Sequence, residues 1–233
     1  MREDYFFEGL NIDELDKNRA YLYFKTKGLE KHILIKDNLK TWGVNNIDYP
    51  MIASTYRYDK RLRYILFKYI SYIEEFYRAI ILDEYNDNPK LIECTEDFNK
   101  RLQKYKYRLN DTLENISYKV LLYQAKKMPH NIKKLFRFPL TKHLAKNIDA
   151  LISLRNAVMH NKFLLLCRFG ICYVDGIDDG KSASLKANIL NLISFLPEDV
   201  GQKCKKEINE ARKEGENTGT KWKLPSVVII DLE

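Results

Sequence analysis

The sequence predicts a mainly all-α fold, and three observations carry that expectation. Gly and Pro contribute nine and six of the 233 residues, about 6% where globular chains average roughly 12%, so a hairpin-rich β fold lacks its turns. Apolar residues make up 45% and charged residues 31%, which excludes a disordered chain and supplies both a core and solvated outer faces. Over long stretches the apolar residues return every three or four positions, the period of a helix with one buried face. The length suits one large domain or two small ones, with chain enough for a sizeable core.

Leu10 to Lys25 and Leu29 to Trp42 read as two short helices parted at Gly28, with Asn11 or Asp13 as N-cap of the first. They are expected as a small N-terminal helical module over residues 1–45. Residues 43–50 have turn composition. A long helix is expected over about Asp59 to Tyr85, because Leu62, Ile65, Leu66, Tyr69, Ile73, Phe76 and Ile80 share one face. Its other face carries Arg61, Arg63, Lys68, Glu74 and Arg78, of which Glu74 and Arg78 stand four apart in the stabilising order. Asn86-Asp87-Asn88-Pro89 ends that helix. A second helical region starts near Thr95 and is broken around Asn110-Asp111 and Met128-Pro129. Pro139-Leu140-Thr141 opens a further helix, capped by Thr141, in which Leu144, Ile148, Leu151, Ile152, Val158 and Met159 keep helical spacing to about Phe163. From Phe163 to Val174 the period is lost, leaving room for a short β excursion near 163–174. Ala183 to Leu196 and Glu198 to Lys213 return to helix, the second opened by Pro197-Glu198-Asp199. Residues 215–233 form a tail with a strand signal in Val227-Val228-Ile229-Ile230.

Residues Met1 to Glu8 are acidic where a secretory signal is basic, and the longest apolar runs fall far short of the about 20 residues a membrane helix needs. A soluble, cytoplasmic protein without membrane attachment is expected. Cys94, Cys167, Cys172 and Cys204 show no C-x-x-C spacing, so reduced buried thiols fit better than a zinc site, and neither a metal nor a cofactor is expected.

The net charge of +8 is unevenly spread. From Arg101 to Lys146 twelve basic residues face two acids, a local +10, so the remainder is slightly acidic. Tyr105, Tyr107, Tyr118, Tyr123, Phe136 and Phe138 interleave with those cations. Such a segment suits a polyanion. Alternatively, the lysines solvate outer helix faces while the aromatics point into the core.

Glycine-rich phosphate loops, G-x-S-x-G elbows and H-E-x-x-H motifs are absent, and the Asp175 to Gly180 stretch fails the spacing of a calcium loop. What remains is Leu154-Arg155-Asn156-Ala157-Val158-Met159-His160-Asn161. On a helix Asn156 and His160 lie about 40° apart, and Arg155 and His160 about 140° apart. A long arginine side chain, a local opening of the helix or a second subunit would have to close that gap. This trio suits cleavage of RNA without a metal, since the 2′-hydroxyl is an internal nucleophile. Histidine moves protons near neutral pH, arginine neutralises charge on phosphorus, and Asn156 could orient the imidazole or bond the ribose. One histidine does not serve comfortably at both ends of an in-line displacement, so two copies of the site are expected to face each other across a homodimer.

Tyr58-Asp59-Lys60-Arg61-Leu62-Arg63, then Ile73-Glu74 and Arg78, then Leu154 to Asn161, resemble the Abi-like (abortive infection) proteins of bacteria, part of the HEPN superfamily. The resemblance extends from about Leu15 to Leu165. It implies a HEPN-like helical bundle over residues 46–214, including the basic helical segment 101–146. It also implies a metal-independent endoribonuclease, a hydrolase acting through an R-x4-H motif in antiviral defence of the toxin–antitoxin kind. By resemblance the catalytic positions are Arg155, Asn156 and His160, and the products a 2′,3′-cyclic phosphate and a 5′-hydroxyl. Family members often carry two adjacent histidines where this chain has Met159-His160, which removes one proton carrier. With the resemblance, RNA becomes the favoured polyanion, contacted by Lys126, Lys127, Lys133, Lys134, Arg137 and Lys142, and an antitoxin protein or RNA becomes a candidate partner. The alternative is a non-catalytic RNA-binding protein of the same fold that associates with a noncoding RNA. Arg61, Arg63, Glu74 and Arg78 are expected as an ion-pair network that locks the long helix rather than as catalytic groups.

Overall fold

The computed structural model describes residues 2–87, 95–127, 143–174, 181–213 and 221–233, and among them helix predominates. Two compact units emerge. One gathers the chain up to Leu62 with Ile208–Asp231 and Glu233; the other comprises Arg63–Glu207 with Leu232.

In the first unit, α1 (Arg2–Phe7) precedes α2 (Glu14–Lys27) and α3 (Leu29–Thr41). Asp13 caps α2, its carboxylate accepting the Asp16 N–H at 2.7 Å, and Gly28 at φ 88° turns the chain into α3. Helix α1 has no counterpart in the sequence expectations, because six residues cannot hold a helix by propensity. Lys36 of α3 supplies the missing support. Fully buried, its ammonium donates to the carbonyls of Tyr5, Phe6 and Glu8 at 2.6, 2.9 and 2.8 Å, satisfying the open end of α1.

The long helix α4 (Tyr49–Tyr85) starts ten residues before its expected beginning. Residues 48–50 are a helix start rather than a turn: the Asp48 carboxylate accepts the Met51 N–H at 2.9 Å, and Pro50 sits in the first turn, where its missing N–H costs nothing. Its buried face also differs from the expected one. Leu62, Leu66, Tyr69 and Ile73 are buried, but the stripe continues through Ile70, Tyr77 and Ile81, whereas Ile65, Phe76 and Ile80 are only partly covered. The helical repeat of 3.6 rotates the face by about one residue over three turns, and an apolar neighbour can mimic the true contact.

The strand expected at Val227–Ile230 does not form. Ser226–Val228 is a short 3-10 turn, and no sheet edge is available to it in the described residues of this unit. Its backbone is satisfied otherwise: Ile230 N–H donates to the Tyr58 hydroxyl at 2.8 Å, Lys223 N–H to the Ser54 hydroxyl at 2.8 Å, and Val228 is buried. Trp222 donates to the Arg212 carbonyl at 3.0 Å, and its ring lies under the guanidinium of Arg61.

In the second unit, the interrupted helical region is several helices, as expected: α5 (Glu96–Lys104), α6 (Leu109–Glu114) and α7 (Tyr118–Lys127). Thr95 caps α5. The breaks fall not at Asn110-Asp111, which lies inside α6, but on either side of it. Lys106 and Tyr107 adopt left-handed φ of 54° and 61°, and at the second break the Ser117 hydroxyl accepts the Val120 N–H. Neither break carries a Gly or Pro, so composition offers no signal for them. The expected break at Met128-Pro129 and the Thr141 cap lie outside the described residues.

Helix α8 (Leu144–Met159) packs between α7 and α9 (Leu185–Ser194), the latter capped by Ser184; α10 (Glu198–Glu210) follows. The short β excursion is present as β1 (Cys172–Tyr173), antiparallel to β2 (Lys181–Ser182). Small residues let it approach: Cys172 packs with Ala150 and Ala187, and a Cβ on Gly170 would meet the Ala150 Cα at 2.9 Å. Asn147 of α8 imitates a neighbouring strand, donating to the Tyr173 carbonyl at 2.9 Å and accepting its N–H at 2.8 Å. Cys167, Cys172 and Cys204 are outside any disulfide, and burial pushes Cys172 up to about 11 and Cys204 up to about 12.

Candidate functional site

Helix α8 buries Leu144, Ile148, Leu151, Leu154 and Val158, so the positions between them face outward at its C-terminal end. Arg155 is half-buried there, and Asn156 and His160, one turn apart, are exposed. The helix stops at Met159 and not at Phe163, because the next three residues build a complete cap. Lys162 N–H bonds the Ala157 carbonyl at 2.9 Å and Asn161 N–H the Val158 carbonyl at 3.1 Å, with Asn161 at φ 51°. His160 is the last residue before that reversal, and its N–H still bonds the Asn156 carbonyl at 3.1 Å. No hydrogen bond holds its ring among the described residues, which leaves both ring nitrogens to solvent or a ligand.

Arg155 is held instead of free-standing. Its guanidinium lies 5.9 Å from the Tyr118 ring centroid, and one terminal nitrogen makes a long 3.4 Å bond to the Asn156 side-chain oxygen. Its buried Nε has no hydrogen-bond partner, and the same is true of the Tyr118 hydroxyl. Burial raises the Tyr118 phenol well above its usual range, Glu74 adds to the effect and Arg155 opposes it. All three groups therefore lie in one local field. Glu74 itself pairs with Arg78 at 2.7 Å, and Arg78 Nε donates to the Leu113 carbonyl at 2.9 Å. An arginine seated on an aromatic face, with its outer nitrogens toward solvent, keeps a fixed positive group available for an oxyanion.

Two other arginines of the long helix also donate to main-chain carbonyls. Within the first unit, Arg61 donates to the carbonyls of Ala211 and Lys213. Within the second, Arg63 donates to the Asn161 carbonyl at 3.1 Å, at the cap that follows His160. Main-chain carbonyls are thus among the acceptors at Arg61 and Arg63, and the Glu74–Arg78 pair follows the expected ion-pair pattern.

Of the expected phosphate contacts, Lys126 is half-buried and Lys127 exposed in the last turn of α7; Lys133, Lys134, Arg137 and Lys142 lie outside the described residues. The interleaved aromatics divide. Tyr118 is buried beneath Arg155, Tyr123 donates to the Asp149 carboxylate at 2.9 Å, and Tyr107 is exposed. Phe136 and Phe138 lie outside the described residues. Arg101 donates to the Asn115 carbonyl and Arg108 pairs with Asp111 at 2.8 Å, so part of the basic segment serves its own turns.

No family model, curated protein or solved structure matches this chain. Among the described residues no helix is long and apolar enough to cross a membrane, and no three His, Cys, Asp or Glu side chains gather as a metal site. The role of Tyr118 as the seat of Arg155 was missed in the sequence. Its spacing to Leu121 and Leu122, both fully buried, is the signal that could have turned it inward.

Proposed function

We propose that the chain is a metal-independent endoribonuclease of the abortive-infection, toxin type acting in phage defence, with Arg155, Asn156 and His160 as its reacting groups. The observation that carries the reading is the end of α8, where an unengaged, exposed His160 follows by one turn and a half an Arg155 braced on Tyr118. The resemblance of the Leu154–Asn161 segment to the R-x4-H motif supplies the reaction class.

In the reaction the ribose 2′-oxygen attacks the adjacent phosphorus and the P–O5′ bond breaks. The 2′-hydroxyl proton passes to a base, and the departing 5′-oxygen takes a proton from an acid. Arg155 neutralises charge on the phosphoryl oxygens, and Asn156 lies on the same exposed face as His160 to bond ribose or imidazole. His160 carries one of the two protons. The His160 of a second copy carries the other, since no further unengaged histidine lies beside it in the motif. Lys126 and Lys127 add sequence-independent phosphate contacts, so binding weakens steeply with salt.

The test is incubation of the purified protein with single-stranded RNA in chelator, followed by end-group analysis. Cleavage leaving 2′,3′-cyclic phosphate and 5′-hydroxyl ends is expected. His160→Ala should lose about 100-fold or more in rate with unfolding stability within about 0.5 kcal/mol of wild type. A strict metal requirement, or full activity of that variant, overturns the proposal. Tight binding with no cleavage by the wild type leaves the alternative, an RNA-binding protein that holds a noncoding RNA.

A further inference from the structure

The 3.1 Å bond from Arg63 to the Asn161 carbonyl ties α4 to the cap that follows His160. The Arg63 backbone therefore stands no farther from that cap than one arginine side chain reaches. Beside it α4 turns two aromatic rings to solvent: Tyr64 is 78% exposed and Phe67 is 49% exposed. Phe67 follows Arg63 by four residues, about 40° around the axis, and Tyr64 lies about 60° from Phe67. Three residues apart on one helix surface, the two rings are neighbours. Leu66, Tyr69, Ile70 and Ile73 bury the opposite side of the helix, so neither ring is needed to complete the core.

The surroundings are cationic. Residues 150–174, which hold the end of α8 and the chain after it, contain Arg155, Lys162 and Arg168 and no Asp or Glu. Residues 63–73 of α4 contain Arg63 and Lys68 and again no Asp or Glu. Lys68 is paired with Glu207 at 2.7 Å, so its charge is balanced locally, whereas Lys162, directly after the cap asparagine, is exposed. Exposed rings among cations, with no acid in either chain segment, are the composition of a single-strand nucleic-acid surface: bases stack on the rings and cations hold the phosphates. A second copy of the chain fits this patch less well. Two rings offer far less than the about 800 Å² that each partner of a stable pair buries, and a like-charged copy would be repelled where a polyanion is attracted.

We propose that Tyr64 and Phe67 are the base-stacking platform of the site, with an unpaired RNA base beside the phosphate at Arg155 and His160 lying on Tyr64 and bordered by Phe67. A duplex keeps its bases stacked on one another and offers none to the platform, which therefore selects single strands. The inference rests on the reading of RNA as the ligand of the α8 end, and not on cleavage there.

The experiment is titration of the full chain with a single-stranded 2′-O-methyl RNA that carries 2-aminopurine and a terminal fluorescein. The methylated strand has no 2′-hydroxyl nucleophile, so binding is read without cleavage. The wild type is expected to bind saturably by anisotropy and to quench the 2-aminopurine through stacking. Tyr64→Ala should bind about tenfold more weakly and lose most of the quench, with the wild-type salt slope, because no charge is removed. Phe67→Ala should bind about threefold more weakly, and Tyr64→Trp, which restores a ring, within about twofold of wild type. The same sequence as a duplex should bind at least about tenfold more weakly than the single strand. Both rings being exposed, all three variants should keep the wild-type circular dichroism spectrum. Unchanged affinity in Tyr64→Ala, equal binding of the duplex, or no binding by the wild type would each overturn the proposal. So would conversion of a dimer to monomers by Tyr64→Ala in sedimentation velocity, which would make a second copy the occupant. Binding with the full Tyr64 dependence but no cleavage of unmodified RNA would instead overturn the nuclease reading alone.

Discussion

Asn161 stands at φ 51°, in the left-handed region, and closes α8 directly after His160. The conformation is free for glycine, cheap for asparagine and costs other L-residues roughly 1–2 kcal/mol. Asn161→Ala should therefore lose about 1 kcal/mol of stability. Asn161→Val adds a branched Cβ at a positive φ, and relaxing that strain releases the 3.1 Å bond from Arg63 to the Asn161 carbonyl. A hydrogen bond from a charged donor contributes about 1.5 kcal/mol or more, so the valine variant should lose about 3 kcal/mol. In Asn161→Gly the easier turn is offset by a more flexible unfolded chain, and stability should stay within about 0.5 kcal/mol of wild type. Urea unfolding of the three variants gives the order, and RNA cleavage gives the consequence. Glycine should keep cleavage and valine should lose most of it, because His160 is carried on the first residue of the cap. A glycine variant that folds well yet cleaves no RNA would refute the reasoning, since it would give the Asn161 side chain a chemical role.

Lys36→Met keeps the apolar stem of Lys36 and removes the ammonium that holds three carbonyls of α1; with the charge's own desolvation recovered, a net loss of about 2–4 kcal/mol is expected in urea unfolding. Limited proteolysis should then cut ahead of α2, and an unchanged pattern would remove Lys36 as the support of α1. Burial lowers the pKa of His32 in the folded protein, so in the window below the unfolded value of about 6.5 the unfolded chain binds more protons than the folded one. Stability should therefore fall as pH drops from about 6.5 toward the folded pKa and level off beneath it. His32→Gln should flatten that slope in thermal melts between pH 7 and 5, and an unaltered slope would assign it to other groups.

How far the sequence carries can be read element by element. Side-chain caps are local signals: Thr95 marks the start of α5, and Asp13 was one of two candidate caps for α2, whose expected start at Leu10 falls four residues before the observed Glu14. Asp48-Tyr49-Pro50 carried the same signal but was masked by the turn-like residues before it. What failed was everything set by distant contact. Lys36 reads as a solvated lysine until the carbonyls of α1, some thirty residues away, are brought to it. The Val227–Ile230 run reads as a strand because β-branched residues favour one, but a strand requires a neighbour, and here the Tyr58 hydroxyl takes its place. For the candidate site, the exposure of Asn156 and His160 follows from helical period, whereas the bracing of Arg155 by Tyr118 and the reach of Arg63 to the cap are tertiary.

The angular gap within the motif has a consequence for assembly. Arg155 leans sideways onto α7, and His160 sits about 140° around the axis at the helix end, so the motif of one chain presents a single imidazole for the proposed reaction, which moves two protons. If two His160 side chains meet across a two-fold axis, each cleavage site needs both copies intact, and one defective chain disables its partner. Wild type refolded with an equal amount of His160→Ala should then retain about one quarter of the activity of the same total wild-type protein, the share of dimers with two intact chains. Independent sites would retain about one half. Retention of one half would assign both proton transfers to a single chain, with solvent or another residue of that chain as the second carrier, and would remove the dimer from the mechanism.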